Sequence, residues 1–288
     1  MRVTNNHNLA SPIVAALSRD DYTRGKSHRS VTQLIDSPRI RILREKHWDS
    51  LEEDVSEKLW SVLGTAVHKV FEDYSGDDVI SEERLFVDVG GWTISGAIDL
   101  QDDEGPIDYK CTSVWAVMHS KVEWELQLNA YAWLMRHAKQ RHSKRLRIIA
   151  VMRDWNRRMA DNSSDYPQAP IATIDVPLWS EREQNDYMAE RISLHQEAEF
   201  ANIVGDRLPE CTGVERWTRS AKYAAKKTTN KRALKVFDSM EDAEAFLEKR
   251  GHANSKWHEV EVRPGVHVRC DQNWCRVAEF CDQWQEQE

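Results

Sequence analysis

Between residues 56 and 74, Leu59, Trp60, Leu63, Val67, Val70 and Phe71 recur three or four positions apart, the spacing that gathers them on one helix face. Strand-like alternation follows over residues 82–90, and Gly90-Gly91 predicts a tight turn into a second strand starting at Trp92. Ile94, Ala97, Ile98 and Leu100 form a short apolar run around Asp99; residues 101–106 are rich in turn formers, and Ile107 restarts an extended pattern. A second amphipathic helix is predicted over 121–138 from Trp124, Leu128, Tyr131 and Met135. Residues 146–152 are almost continuously apolar, as in a central strand covered on both faces, then come a strand over 171–176 and a long helix over 181–203. Upstream, residues 1–30 read as a polar, irregular or weakly helical arm, and residues 30–43 as two short helices broken at Pro38. Downstream of Pro209, a strand over 234–237, a helix over 239–250 and a strand over 257–262 suggest a small β-α-β insertion. The pattern predicts an α/β chain divided into an arm (1–30), a core with a mixed central sheet flanked by helices (31–208) and a small α+β extension (209–288).

Length allows one full core plus an appendage, since the chain has 288 residues. No apolar run approaches the ~20 residues of a membrane span, and the polar start lacks a signal-peptide core, so a cytoplasmic protein without membrane contact is expected. The net charge of −8 discourages a nucleic-acid partner only until its distribution is read. Residues 211–288 carry 14 Lys/Arg against 13 Asp/Glu, and the preceding 210 residues carry 26 against 35. The acidic excess therefore lies in the core, where divalent cations would offset part of it.

The chemistry of that core is suggested by residues 96–110. Asp99 ends one strand of a hairpin, and Asp108 and Lys110 stand two residues apart on the other, hence on one face. Two carboxylates from neighbouring strands with an ammonium beside them are the hard ligands and the cation that metal-assisted phosphodiester cleavage requires. A bare Asp-x-Lys more often marks a hairpin with solvated acids and a surface salt bridge. Gly64, His68 and Glu72 share one stripe of the first helix, while Gln127 and Tyr131 lie one turn apart on the second.

Taken in order, Gly64-Thr-Ala-Val-His68, Gly96-Ala-Ile-Asp-Leu, Ile107-Asp-Tyr-Lys and Gln127-Leu-Asn-Ala-Tyr131 resemble the RecB-like branch of the PD-(D/E)XK nuclease superfamily over about residues 31–135. Within it the chain looks most like the stand-alone exonucleases of phages and bacterial recombination systems. The resemblance implies a restriction-endonuclease-like core and Mg²⁺- or Mn²⁺-dependent hydrolysis of DNA, with one or two ions. Asp99 and Asp108 would hold the metal, His68 and the Tyr109 carbonyl would complete its shell, and Lys110 would position or activate water. Gln127 would orient a phosphate or the lysine, and Tyr131 would close the site. Glu83, leading the first strand, is expected to give support. An exonuclease of recombination or end processing in a bacterial or phage-infected cell is implied, with a single-strand annealing or other recombination protein as a possible partner. The alternatives are a restriction- or defence-type endonuclease on the same core and an inactive DNA-binding module.

Two features of the extension are weighed separately. Arg216, Arg219, Lys222, Lys226, Lys227, Lys231, Arg232 and Lys235 form a run uninterrupted by acid, with Trp217 and Tyr223 among them, suited to a DNA backbone or to a merely solvated face. Five cysteines without a secretory signal argue for thiols or metal ligands rather than disulfides. Cys270, Cys275 and Cys281, with Cys211 upstream, resemble the three-plus-one layout of cluster-bearing RecB-like nucleases, which implies a [4Fe-4S] cluster with zinc as the alternative. In those relatives the lone cysteine precedes the core, where this chain has Ser37. Either His258 or His267 could replace Cys211 in a zinc site, and reduced cysteines packed beside Trp274 and Phe280 are the plain alternative.

Overall fold

The alternating segments assemble into a six-stranded mixed sheet in a computed structural model, which describes residues 1–19, 25–74, 76, 78–252 and 255–287. The chain divides into two compact units, Met1–Pro209 and Glu210–Glu288. The first contains β1 (Arg2–Thr4), α1 (Ser11–Ser18), β2 (Arg29–Ser30), α2 (Val31–Leu34), α3 (Pro38–Lys46), β3 (Glu52–Asp54), α4 (Leu59–Asp73), β4 (Ile80–Val89), β5 (Trp92–Gln101), β6 (Pro106–Thr112), α5 (Val114–His119), α6 (Val122–Lys139), β7 (Leu146–Met152), α7 (Arg157–Asn162), β8 (Ile171–Val176) and α8 (Glu181–Val204). The sheet order is β2-β5-β6-β7-β8, with β4 also on β5; β2 and β5, and β6 and β7, run parallel, the other pairs antiparallel. This is the mixed central sheet with flanking helices that the pattern predicts.

Local chemistry explains the main turns and caps. Gly90 and Gly91 both adopt positive φ, as the tight turn between β4 and β5 requires. Ser180 and Glu183 form a capping box at the start of α8. The described part of residues 1–30, expected to be a polar, irregular or weakly helical arm, supplies α1, a β1 strand paired with β3, and β2 on the main sheet.

The core lies between the sheet and α6, where Leu128, Leu134, Ile94, Ile98, Leu146 and Ile148 are fully buried. Each such side chain contributes about 1.5–3 kcal/mol through removal from water. Gly96 sets the distance between α6 and β5: a Cβ there would stand 2.6 Å from Leu134 Cδ1 and 2.8 Å from Tyr131 Cε1. Behind α2 and α3, Arg191 Nε donates to Leu34 O at 2.7 Å, and Arg41 Nε donates to Nδ1 of the buried His195 at 3.3 Å. The other ring nitrogen of His195 faces the Leu34 and Asp36 carbonyls, so the neutral tautomer with a proton on Nε2 fits. Burial, then the Arg191 and Arg41 charges, lower its pKa to about 3. By contrast α4, despite its regular apolar spacing, has no fully buried residue; Leu59, Trp60, Leu63 and Val70 are exposed.

The second unit contains β9 (Thr218–Arg219), β10 (Lys222–Lys227), β11 (Lys235–Phe237), α9 (Met240–Lys249), β12 (His258–Arg263), β13 (Val266–His267), α10 (Val268–Asp271) and α11 (Asp282–Gln285). An antiparallel sheet β11-β10-β12 buries Ala224 and Ala225, and α9 buries Ala243 and Leu247. Among the described residues of the chain, no helix is long and apolar enough to cross a membrane.

Candidate active site

The site forms where β5 and β6 separate. They pair only at Leu100–Ile107 and Gln101–Pro106, next to the turn. Beyond that point the Asp99 carboxylate replaces a ladder acceptor, its Oδ2 receiving the Tyr109 N–H at 2.7 Å. Asp99 and Asp108 are both buried, at 7% and 1% exposure. Because β6 projects alternate residues to one face, Lys110 Nζ reaches Asp108 Oδ2 at 2.5 Å. The other oxygen, Asp108 Oδ1, accepts from Gln127 Nε2 at 2.8 Å, and the same nitrogen donates to Tyr131 Oη at 2.9 Å. One turn of α6 therefore supplies both residues, and the close approach at Gly96 brings that turn to the strands.

From the other side, α4 presents His68. Its Nε2 lies 2.9 Å from the Tyr109 carbonyl, so a proton there leaves Nδ1 as the lone-pair nitrogen, 3.5 Å from Asp99 Oδ1 and 4.0 Å from Glu82 Oε1. The carbonyl assigned to a metal shell is thus engaged by His68. Phe71 and His68 pack edge-on against the Tyr109 ring and fix this wall.

Glu82 is not among the residues the sequence assigns to the site; its neighbour Glu83 is the one expected to give support. In the structure Glu83 pairs with Lys139 at 2.7 Å and accepts from Gln101 at 3.1 Å, a supporting position. Glu82 enters the site with φ +51°, an unfavourable conformation for a residue with a Cβ. The signal is in the sequence: Glu82 and Asp99 stand equally far from the Gly90-Gly91 turn, and they lie between the paired positions Ser81–Leu100 and Glu83–Ile98.

One ligand atom each from His68, Glu82 and Asp99 lie within 4.8 Å of one another. Burial, then the neighbouring Asp108, push Asp99 up to about 8. Burial, then Glu72 and Asp108, also raise Glu82, while burial lowers His68. Carboxylates that resist ionising beside one another, together with a neutral imidazole, form a donor set whose charge a divalent cation would balance. The residues fit such an ion.

The extension disposes its residues differently from the expected basic face. Lys226 is held by Glu259 at 3.5 Å and by Glu261, and Lys222 pairs with Asp238. Arg216 is 6% exposed and donates to Gln287. β12 stands beside β10 with Lys226 opposite Glu259, so acids distant in sequence offset the charge of Lys226, while Arg216 is buried against Gln287. Arg219, Lys227, Lys231 and Arg232 remain exposed.

All five cysteines are free thiols. Burial raises the pKa of Cys275, and the Cys270 and Cys281 thiols beside it add to the effect. Gln283 accepts from the Cys211 N–H at 2.8 Å and donates to the Cys211 carbonyl at 3.0 Å, which brings Cys211 to the Cys281 end of the unit.

Residues 48–282 match the family model of the PD-(D/E)XK nuclease superfamily. Among solved structures the chain is similar to a crystal structure of SSO0001, with 18% identity over 63% of this chain and 81% of that one and a TM-score of 0.40. No curated protein matches the chain.

Proposed function

The chain belongs to the PD-(D/E)XK nuclease superfamily, and we propose that within it the chain is a RecB-like, divalent-metal-dependent DNA exonuclease of recombination or end processing. The observation that carries the reading is the separation of β5 from β6, which lets buried Asp99 and Asp108 face one site with Lys110. Asp99, Glu82 and His68, with Asp108 beside them, would hold one or two Mg²⁺ or Mn²⁺ ions. Such an ion supplies Lewis acidity at the phosphate and lowers the pKa of water. Lys110 places its ammonium where charge develops on the phosphate. Gln127 holds Asp108 in register, and Tyr131 fixes the Gln127 amide. Water is the nucleophile, so no covalent protein intermediate is required.

In the second unit, Cys211, Cys270, Cys275 and Cys281 are proposed to bind one metal centre, an iron-sulfur cluster or zinc. Support comes from the placing of Cys270 and Cys281 near the Cys275 thiol and from the Gln283 bridge to Cys211. The decisive experiment for the nuclease reading compares end-labelled linear DNA with closed circular DNA in Mg²⁺. Loss of the linear substrate with a spared circle supports the exonuclease; opening of the circle overturns it in favour of the endonuclease, and no cleavage of either ends the nuclease reading.

A further inference from the structure

Trp60, Gly64 and His68 follow one another at four-residue spacing on α4 and share one stripe. With a rise of ~1.5 Å per residue, Trp60 lies about 12 Å along the helix from His68. Its indole is half exposed, yet it is oriented: the Arg153 guanidinium carbon stands 4.5 Å from the ring centroid. Arg153 is anchored through its backbone, which donates to Thr112 O at 2.9 Å, at the exit of the strand that carries Asp108 and Lys110. Arg153, Arg157 and Arg158 are exposed, and among the described residues no carboxylate pairs with them.

Between Trp60 and His68 stands Gly64, itself half-buried but with open space where a side chain would be. A Cβ at Gly64 would meet nothing within 4 Å, and its φ lies outside the left-handed region. Neither packing nor backbone geometry therefore accounts for a glycine in a helix interior, where alanine is the more stabilising residue. What the missing side chain leaves is room, one helical turn from His68, for something that approaches the helix closely.

We propose that this stripe of α4 is the lane of a single unpaired DNA strand. The strand crosses the open space at Gly64, stacks one base on the Trp60–Arg153 pair, and meets Arg153, Arg157 and Arg158 with its phosphates. An exposed indole beside a guanidinium plane accepts the face of an unpaired base, which a duplex keeps within its own stack. The inference rests on reading the neighbouring carboxylates as a DNA nuclease and adds its substrate form.

The test titrates the whole protein, in chelating buffer so that nothing is cleaved, with a labelled single-stranded oligonucleotide and with a blunt duplex of equal length. Trp60→Ala is expected to weaken single-strand binding about tenfold and duplex binding far less, with Trp60→Phe retaining most of the affinity. Gly64→Ala is expected to raise the melting temperature and yet weaken single-strand binding, a pair of effects that a structural role for the glycine does not produce. Unchanged single-strand affinity in Trp60→Ala or Gly64→Ala, or an equal loss for the duplex, overturns the lane. Mg²⁺-dependent cleavage by the wild type, measured alongside, separates the two failures: intact cleavage with unaffected binding removes the lane alone, whereas absent cleavage removes the nuclease reading.

Discussion

Around β6, three acids, Glu82, Asp99 and Asp108, crowd into partly or fully buried space with one ammonium among them. Along β10, the lysines that looked most basic in sequence meet Glu259, Glu261 and Asp238 across or beside the strand. The first arrangement crowds like charges together and raises the pKa of Asp99 and Glu82; the second cancels charge. Excess charge of one sign, held under desolvation, is costly to maintain and is the better mark of a site awaiting a ligand. A run of like charges in sequence carries no such mark until its cross-strand neighbours are known.

The largest expected effect lies on the side with excess charge. Asp108→Asn and Lys110→Ala should each lower the initial rate on labelled linear DNA by about 10²–10³-fold or more while leaving DNA binding in chelator near wild type. Wild-type turnover in either variant would break the comparison at its centre. Asp99→Ala should match them, and Glu82→Gln should fall on the same side, whereas Glu83→Gln should cleave at nearly the wild-type rate.

Next in size is the thiol group, which would give the second unit its own chemistry. Protein prepared without chelators should carry iron or zinc at about one centre per chain, and Cys275→Ala should lose it. Broad absorbance near ~400 nm would identify the cluster form. Absence of both metals would leave four packed thiols.

A smaller effect separates paired from unpaired lysines. Lys227→Glu, at an exposed position, should flatten the salt dependence of DNA binding by about one unit of slope if the residue contacts a phosphate. Lys226→Glu should instead lower thermal stability, because it sets a third carboxylate beside Glu259 and Glu261. Equal slope changes in both variants would erase the distinction between neutralised and available charge.

The mildest test concerns His195, where burial and two arginines keep the ring neutral. Its folded pKa of about 3 lies below the unfolded value of 6.5, so the unfolded chain takes up a proton that the folded chain refuses. Its contribution to stability is therefore lost as pH falls from about 6.5 toward 3, with a slope of up to about 1.4 kcal/mol per pH unit. Denaturant unfolding of wild type and His195→Gln between pH 6.5 and 4.5 should show this slope reduced in the variant; parallel curves would remove the assignment.

Much of the first unit was legible because it rests on short-range periodicity. The strand over 146–152 and the helix over 181–203 need only their own residues to declare a period, and both appear with nearly those bounds. Asp108 and Lys110 needed only the two-residue repeat of a strand to share a face. Glu82 could have been found by counting back from Gly90-Gly91, but its inward turn depends on a strained φ that no propensity suggests. The apolar stripe of α4 misled in the opposite sense, since helical spacing shows that a face exists without showing that anything covers it.

The sequence by itself determined the periods of strands and helices, the tight turn at Gly90-Gly91, and the shared face of Asp108 and Lys110, because each follows from backbone repeat over a few residues. Only the tertiary structure decided that Gln127 meets Asp108, that Lys226 is neutralised while Arg153 is not, and that α4 remains open at Gly64. The physical reason is that charge balance and burial depend on neighbours brought together from distant parts of the chain, and local repeat carries no information about them.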